Sequence, residues 1–349
     1  MRLLLAGLFA FGVVPVALAA YVTNIDAAAL SEPLYVAVNG DVWQKSQTNP
    51  TSRLRIQQLQ QLDDRARRAY VPSVAVKRRN IILITVDALR PDHMSLYGYA
   101  RPTTPNLDGM ADGGRLAFAR VAHSPCAESF CGLLSLLTGK HGHKLAAQDF
   151  GLVEVLGLHG YRRHAVLGGD HARFYGLRER YGPFDTFSDG GERSIGTSLN
   201  DDSDVLARLE KLPEANDQPA FFFIHLMSAH GLGVKQPQFQ RWLPAKSVYN
   251  LRVQKADPAL VSEVQNGYDN GVLQSDSMIN AVLAVLGKKG YLANATTFVT
   301  GDHGDFLGEH SMFSHSRTVL EPVLRVPWIW IGRDADSLRL NHPVVHADF

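Results

Sequence analysis

The chain has 349 residues, 45% of them hydrophobic, so it is longer than one ordinary domain and can bury a large core. A formal net charge of +1 argues against a nucleic-acid binder, which needs a basic face. Residues 3–22, after Arg2, carry no charge at all. About 20 apolar residues span a bilayer as a helix, yet Ala17-Leu18-Ala19 also fits a signal-peptidase site. Membrane anchor or signal segment, residues 1–22 export the rest of the chain on either reading, and Pro15 does not exclude a membrane helix.

Residues 23–78 read as a basic helical linker. Within it Ile56, Leu59 and Leu62 recur at helical spacing beside Arg53 and Arg55. Such a helix either lies on an anionic membrane surface or packs one stripe on the next domain. Arg65, Arg67, Arg68, Lys77, Arg78 and Arg79 come next, and a simple positive-inside count would make this side cytoplasmic; large translocated domains commonly ignore that count.

From residue 79 onward strands and helices alternate, which predicts an α/β fold: a doubly wound, largely parallel sheet with helices on both faces. Asn80-Ile81-Ile82-Leu83-Ile84-Thr85-Val86 is a strand buried on both faces, and it delivers Asp87 at its end. Ser129 precedes the apolar run Phe130–Thr138, a helix closed by Gly139; it is either the helix N-cap or a nucleophile favoured by the positive helix end. Cys126 and Cys131 flank it. In an oxidising compartment they close a small ring, and otherwise they are two buried thiols.

Tyr161–Leu167 reads as a strand leading to Asp170 and His171, with His171 either a substrate contact or a surface histidine. Ser203-Asp204 caps a helix with Val205, Leu206, Leu209 and Leu212 on one face. Phe221–Ile224 is a central strand; His225 at its end is read as facing the sheet, which leaves His230 in the next loop as the substrate candidate. After an amphipathic helix at Met278–Leu286 comes the strand Thr297–Thr300, stopped by Gly301. Its loop holds Asp302 and His303, a carboxylate beside an imidazole, which suits zinc or manganese better than calcium. His315 lies far enough along to return over the same mouth. The Trp residues of the late strand Val326–Ile331 are read as core.

Two of these stretches carry a resemblance. Val86-Asp87-Ala88-Leu89-Arg90-Pro91-Asp92-His93, with Tyr97-Gly98-Tyr99 and Arg101-Pro102-Thr103-Thr104-Pro105-Asn106-Leu107, resembles the opening of the sulfatase-type members of the alkaline phosphatase superfamily. Gly301-Asp302-His303-Gly304-Asp305-Phe306-Leu307-Gly308-Glu309-His310 is similar to their second metal loop. The resemblance covers about Arg79 to the end and implies a divalent ion held by Asp87, Ser129, Asp302 and His303. Sulfatases carry Cys-x-Pro-Ser-Arg at the nucleophile; here Ser129-Phe130-Cys131-Gly132-Leu133 lacks the Pro and Arg, so conversion to formylglycine is not expected. An unmodified hydroxyl suits phosphoryl transfer through a phospho-enzyme.

Ile224–Gly231 and Tyr268–Asp276 resemble the lipid A phosphoethanolamine transferases, whose His-Gly loop and later His correspond to His230 and His315. Those enzymes usually have Glu where this chain has Asp87, so the sequence sits between the two groups. In sulfatases a Lys and a His grip the sulfate where Asp170 and His171 stand here. In the resembling families a segment similar to His346-Ala347-Asp348 leads into a further helix, so residues 79–349 are expected to form a catalytic domain lacking its last elements. The resemblance thus implies a metal-dependent phosphotransferase or hydrolase. Ser129, His230 and His315 are its catalytic candidates, and His171, His230 and His315 contact a phosphate or sulfate ester that is lipid- or glycan-linked. Zinc is the expected ion, with manganese or calcium as alternatives, and the domain is exported and membrane-anchored. The competing readings are a sulfatase and a catalytically silent, membrane-anchored binding protein on the same scaffold.

Overall fold

The computed structural model describes residues 50–72, 78–172, 176–192, 200–247, 256–315, 318–332 and 342–348. The expected hydrophobic segment at 1–22 lies outside them. Among the described residues no helix is long and apolar enough to cross a membrane.

In chain order the main elements are α1 (Pro50–Ala69), β1 (Asn80–Val86), α2 (Pro105–Asp112), β2 (Leu116–Phe118), β3 (Ala122–His123), α3 (Ser129–Thr138), α4 (Leu152–Leu158), β4 (Arg162–Leu167), α5 (Leu177–Arg180) and β5 (Thr186–Ser188). They continue with α6 (Ser203–Glu210), β6 (Ala220–Leu226), α7 (Pro258–Lys288), β7 (Ala295–Gly301), β8 (Phe306–Leu307), β9 (Phe313–Ser314), α8 (Glu321–Leu324), β10 (Trp328–Ile331) and β11 (Val344–Val345).

Among the described residues, seven strands form one sheet in the order β2-β10-β7-β1-β6-β4-β5. The five from β7 to β5 are parallel, and β10 runs antiparallel to both its neighbours. The apolar, β-branched and aromatic runs of β1, β6 and β7 explain their central places, because a strand covered on both faces favours side chains that bury without unmet hydrogen bonds.

Alternation divides the core into two layers. Ile82, Ile84, Val86, Phe222, Ile224 and Leu226 pack under α2, α6 and α7 on one face. Leu83, Phe221 and Phe223 pack under α3, α4 and α5 on the other. The helix expected at Met278–Leu286 is the second half of the much longer α7, whose first half carries Tyr268–Asp276. Trp328 is buried in the sheet core and Phe298 lies edge-on to Trp330 at 4.6 Å.

The helix expected around Arg53–Leu62 is α1. Its docking is more polar than the apolar stripe implies: Leu59 is buried, but Leu54 and Leu62 are exposed. Contact comes from Arg67 to Glu154 at 2.7 Å, Asp63 to Lys140, a two-way bond between the Gln60 amide and the Gln148 backbone, and Tyr70 Oη to His159 Nε2 at 2.6 Å.

Candidate functional site

β1, β6 and β7 are neighbours, and their carboxyl ends open on one side of the sheet, the place where open α/β sheets hold ligands. Thr85 and Asp87 continue the parity of Leu83, His225 that of Phe221 and Phe223, and Asp302 that of Phe298 and Thr300. All of these therefore turn toward the layer that contains α3. Ser129 is the first residue of α3; the N-cap is Glu128, so Ser129 Oγ is free of capping duty. It lies 3.1 Å from His303 Nε2 and 3.5 Å from Asp87 Oδ2.

Asp87, His225 and Asp302 form a buried group able to hold a metal ion, with one ligand atom from each lying within 4.8 Å of the others. The expectation that His225 faces the sheet is corrected by the structure. Thr85 Oγ1 donates to the Ile224 carbonyl at 3.2 Å and so accepts from His225 Nδ1 at 2.7 Å, which leaves Nε2 as the lone-pair nitrogen. His303 is held the same way, with Nδ1 donating to the Gly304 carbonyl at 2.8 Å. Both Nε2 atoms then face carboxylate oxygens: His225 meets Asp87 at 3.5 Å, and His303 meets Asp87 at 3.6 Å and Asp302 at 3.5 Å.

Asp87 Oδ1, Asp302 Oδ2 and His225 Nε2 have no hydrogen-bond partner although buried. Electron-rich atoms in such proximity require a cation between them, and the donor set fits a divalent metal. A proton can substitute in part. Burial opposes protonation of His225, yet Asp87 and Asp302 raise its pKa. Burial likewise opposes ionisation of Asp87, but the surrounding imidazoles, His230 first and then a hydrogen bond from His225, hold its carboxyl well below the usual range.

The two loops that deliver the ligands are bolted together. Ala88 has a left-handed backbone (φ 61°), a conformation that costs an L-residue about 1–2 kcal/mol. In return its N–H donates to Asp302 Oδ1 at 3.1 Å, while Tyr268 Oη donates to its carbonyl at 2.7 Å. The buried Arg90 donates to the Asp305 carbonyl at 2.6 Å and pairs with Asp92 at 2.7 Å and Glu309 at 2.8 Å.

His315 and His230 do meet at the mouth, 5.4 Å apart by ring centre, with His315 only 4.2 Å from His303. Their protonation states differ. Burial opposes a charge on His315, but Asp305 Oδ1, 2.8 Å from its Nδ1, pushes the pKa up to about 9, so the ring is an imidazolium at neutral pH. Burial lowers the pKa of His230, and its Nδ1 accepts from the Leu232 N–H at 3.1 Å; Nε2 therefore carries the proton and donates.

His171 does not join them. Its nitrogens are taken by Tyr181 Oη at 2.8 Å and the Gly168 carbonyl at 2.9 Å, and its ring stands edge-on to His225 at 5.0 Å. Burial pulls its pKa to about 3, so it is a neutral buttress behind His225 with no nitrogen free for a substrate. Asp305 and Thr85, which orient two of the imidazoles, are not singled out by the sequence. Asp305 is visible in the second loop, whereas Thr85 has no signal beyond strand parity.

Cys126 and Cys131 are disulfide-bonded, which closes a ring around Ser129. Gly132 lies where α3 crosses the second loop. A Cβ there would stand 2.3 Å from the Asp302 carbonyl oxygen.

Comparison with known proteins bears on the fold and the family. The sulfatase family model matches residues 79–349. No curated protein matches the chain in sequence. Among solved structures, the C-terminal periplasmic domain of EcEptC from Escherichia coli, in complex with zinc, superposes with a TM-score of 0.64 at 17% identity, covering 80% of this chain and 82% of that one. The soluble domain of lipooligosaccharide phosphoethanolamine transferase A from Neisseria meningitidis gives 0.62 at 18% identity, covering 79% and 86%. Phosphonate monoester hydrolase of Agrobacterium radiobacter gives 0.56 at 15% identity, covering 78% and 72%. At these identities the neighbours establish an alkaline phosphatase/sulfatase-like fold, and with the family model matching most of its length, the chain belongs to the sulfatase family.

Proposed function

We propose that this protein cleaves or transfers a phosphate ester through a covalent phospho-serine at Ser129. The observation that carries the reading is the position of Ser129 Oγ, uncapped at the start of α3 and within 3.5 Å of both His303 and Asp87. Asp87, Asp302, His303 and, beyond the sequence expectation, His225 are the residues that would hold the ion. When bound, a divalent metal supplies Lewis acidity that lowers the pKa of a neighbouring hydroxyl.

Ser129 Oγ attacks phosphorus, its bond to phosphorus forming as the bond to the leaving oxygen breaks, while its proton, directed at Asp87 Oδ2, passes on to water at the mouth. His230 donates Nε2–H to an equatorial oxygen, and the His315 imidazolium balances charge and gives a proton to the leaving oxygen. Water or an acceptor hydroxyl then releases the phosphoryl group from Ser129.

The carboxylate and imidazole donor set, together with the zinc complex of the EcEptC domain, supports zinc over manganese or calcium. The periplasmic origin of that relative and the Cys126–Cys131 bond support an exported domain, and the uncharged stretch at 3–22 supports a membrane tether. A lipid- or glycan-linked ester is supported by the lipooligosaccharide substrate named for the Neisseria transferase.

The test is Ser129→Ala. Turnover on aryl phosphodiesters should fall at least a thousandfold while metal content, measured by plasma mass spectrometry, stays at the wild-type ratio. Retained turnover removes Ser129 from its role. Formylglycine found at residue 129 by peptide mass spectrometry replaces phosphate esters by sulfate esters as substrate.

A further inference from the structure

A cavity of about 210 Å³ adjoins the cluster and takes no part in the mechanism above. Ala229, Gly231, Gly233, Lys235, Lys246 and Asn270 are among its walls. His230 sits in the chain between two of the lining residues. Its ring faces His315, while the residues on either side of it, Ala229 and Gly231, line the cavity.

The charges in this wall are unequal in kind. Lys246 is half-exposed and already paired with Glu263 at 2.6 Å. Lys235 lies across α7 at Gly271, where a Cβ would come 3.0 Å from its Cε. Its ammonium donates to the carbonyls of His230 and Gly233 and forms no ion pair with any carboxylate among the described residues. An ammonium has three donors, and two neutral carbonyl acceptors leave one donor available and no carboxylate in contact with the charge. Burial pulls its pKa down to about 8, although Asp202, Asp305 and Asp87 act from a distance in the other direction. A partly buried cation with no ion-pair partner among the described residues, in the wall of a cavity large enough for a small headgroup, is suited to hold an anion.

Resting on the phosphoryl-transfer reading, we infer that the cavity receives a second anionic group, an oxyacid such as a phosphate, carried by the substrate or acceptor and bound by Lys235. The ester reacting at Ser129 then extends past His230, and because Lys235 also holds the His230 carbonyl, filling the cavity braces the histidine that contacts the reacting group.

The experiment compares ethyl p-nitrophenyl phosphate with the analogue bearing a terminal phosphonate on its ethyl group. Wild-type protein should prefer the phosphonate analogue in kcat/KM by tenfold or more, chiefly through KM. Lys235→Met should abolish that preference and Lys235→Arg restore most of it. Inorganic phosphate should compete with the phosphonate analogue more strongly than with the ethyl ester; if it binds while the tethered phosphonate gives no advantage, the source is free phosphate, and the substrate assignment is overturned. Equal loss on both diesters in Lys235→Met, with no change of preference, means that Lys235 only ties the 230–233 turn, which also overturns the inference. If wild-type protein turns over neither diester, the phosphoryl-transfer reading is what fails. Calorimetry with ethylphosphonate then decides the subsite: binding lost in Lys235→Met supports it, and binding absent or unchanged overturns it.

Discussion

His225 stands at the last but one position of an all-buried strand, and its neighbours Phe221 and Phe223 point to the same face of the sheet. That parity, set beside the parity of Leu83 and Asp87 on the adjacent strand, was the available signal for its role; a strand that is apolar on both faces hides it, because hydrophobicity no longer marks which face is which. Asp87, Asp302 and His303 were legible because each ends a buried strand, where a polar residue needs a reason. His171 was misleading on the same logic, since it comes after a strand but spends both nitrogens on Tyr181 and Gly168. At this scale the expected outcome concerns the ligands. His225→Ala should weaken metal affinity at least a hundredfold in a chelator competition, and Thr85→Val, which removes the hydroxyl that bridges Nδ1 and the Ile224 carbonyl, should weaken it by roughly 10–100-fold. A His225→Ala protein that retains metal at wild-type affinity excludes His225 as a ligand.

The nucleophile helix and the second metal loop touch through backbone at Gly132, and the approach leaves no room for a methyl group. Gly132→Ala should force α3 away from Asp302, destabilising the fold by about 1–3 kcal/mol and reducing kcat more than stability alone explains, since Ser129 rides on the same helix. Thermal melts and turnover measured on the same preparation check this; unchanged kcat shows that the helix can shift without moving Ser129. The sequence marked this glycine only as part of a departure from the sulfatase signature. Its necessity depends on a loop 170 positions away. The docking of α1 is a similar case. Helical periodicity located the helix, but Leu54 and Leu62 stay exposed while Asp63 and Arg67 make the contact, so the apolar stripe did not name the docking face.

Across the whole molecule, the order β7-β1-β6 brings together Asp87 and Asp302, separated by more than 200 positions in the chain, with His225 between them in sequence. The same burial shapes acid stability. His164 is enclosed in β4, hydrogen-bonded through Nδ1 to Thr186 at 2.7 Å and stacked on Phe222 at 4.9 Å. Burial, then Arg162, depresses its pKa to about 4, against 6.5 in an unfolded chain. The unfolded state therefore binds the extra proton first, so the neutral histidine's contribution is complete above pH 6.5 and is lost as pH falls toward 4, on the order of 3 kcal/mol in all. Urea unfolding at pH 7 and pH 5 should show a smaller loss for His164→Phe than for wild type; an equal loss places the titration at other groups.

Local chemistry in the sequence was enough to specify strands that end in carboxylates and imidazoles, a helix that begins at a serine, and a family of folds able to unite them. Those features depend on side-chain periodicity and on motifs within a few residues of one another, which a linear chain displays directly. Which face each strand presents, that His225 comes beside Asp87 and Asp302 while His171 stands behind it, and that Lys235, beside a cavity, forms no ion pair among the described residues were decided only when the sheet closed. Each of these depends on what a distant segment places against the residue, and pairings of that kind leave no mark on the residue's own neighbourhood in sequence.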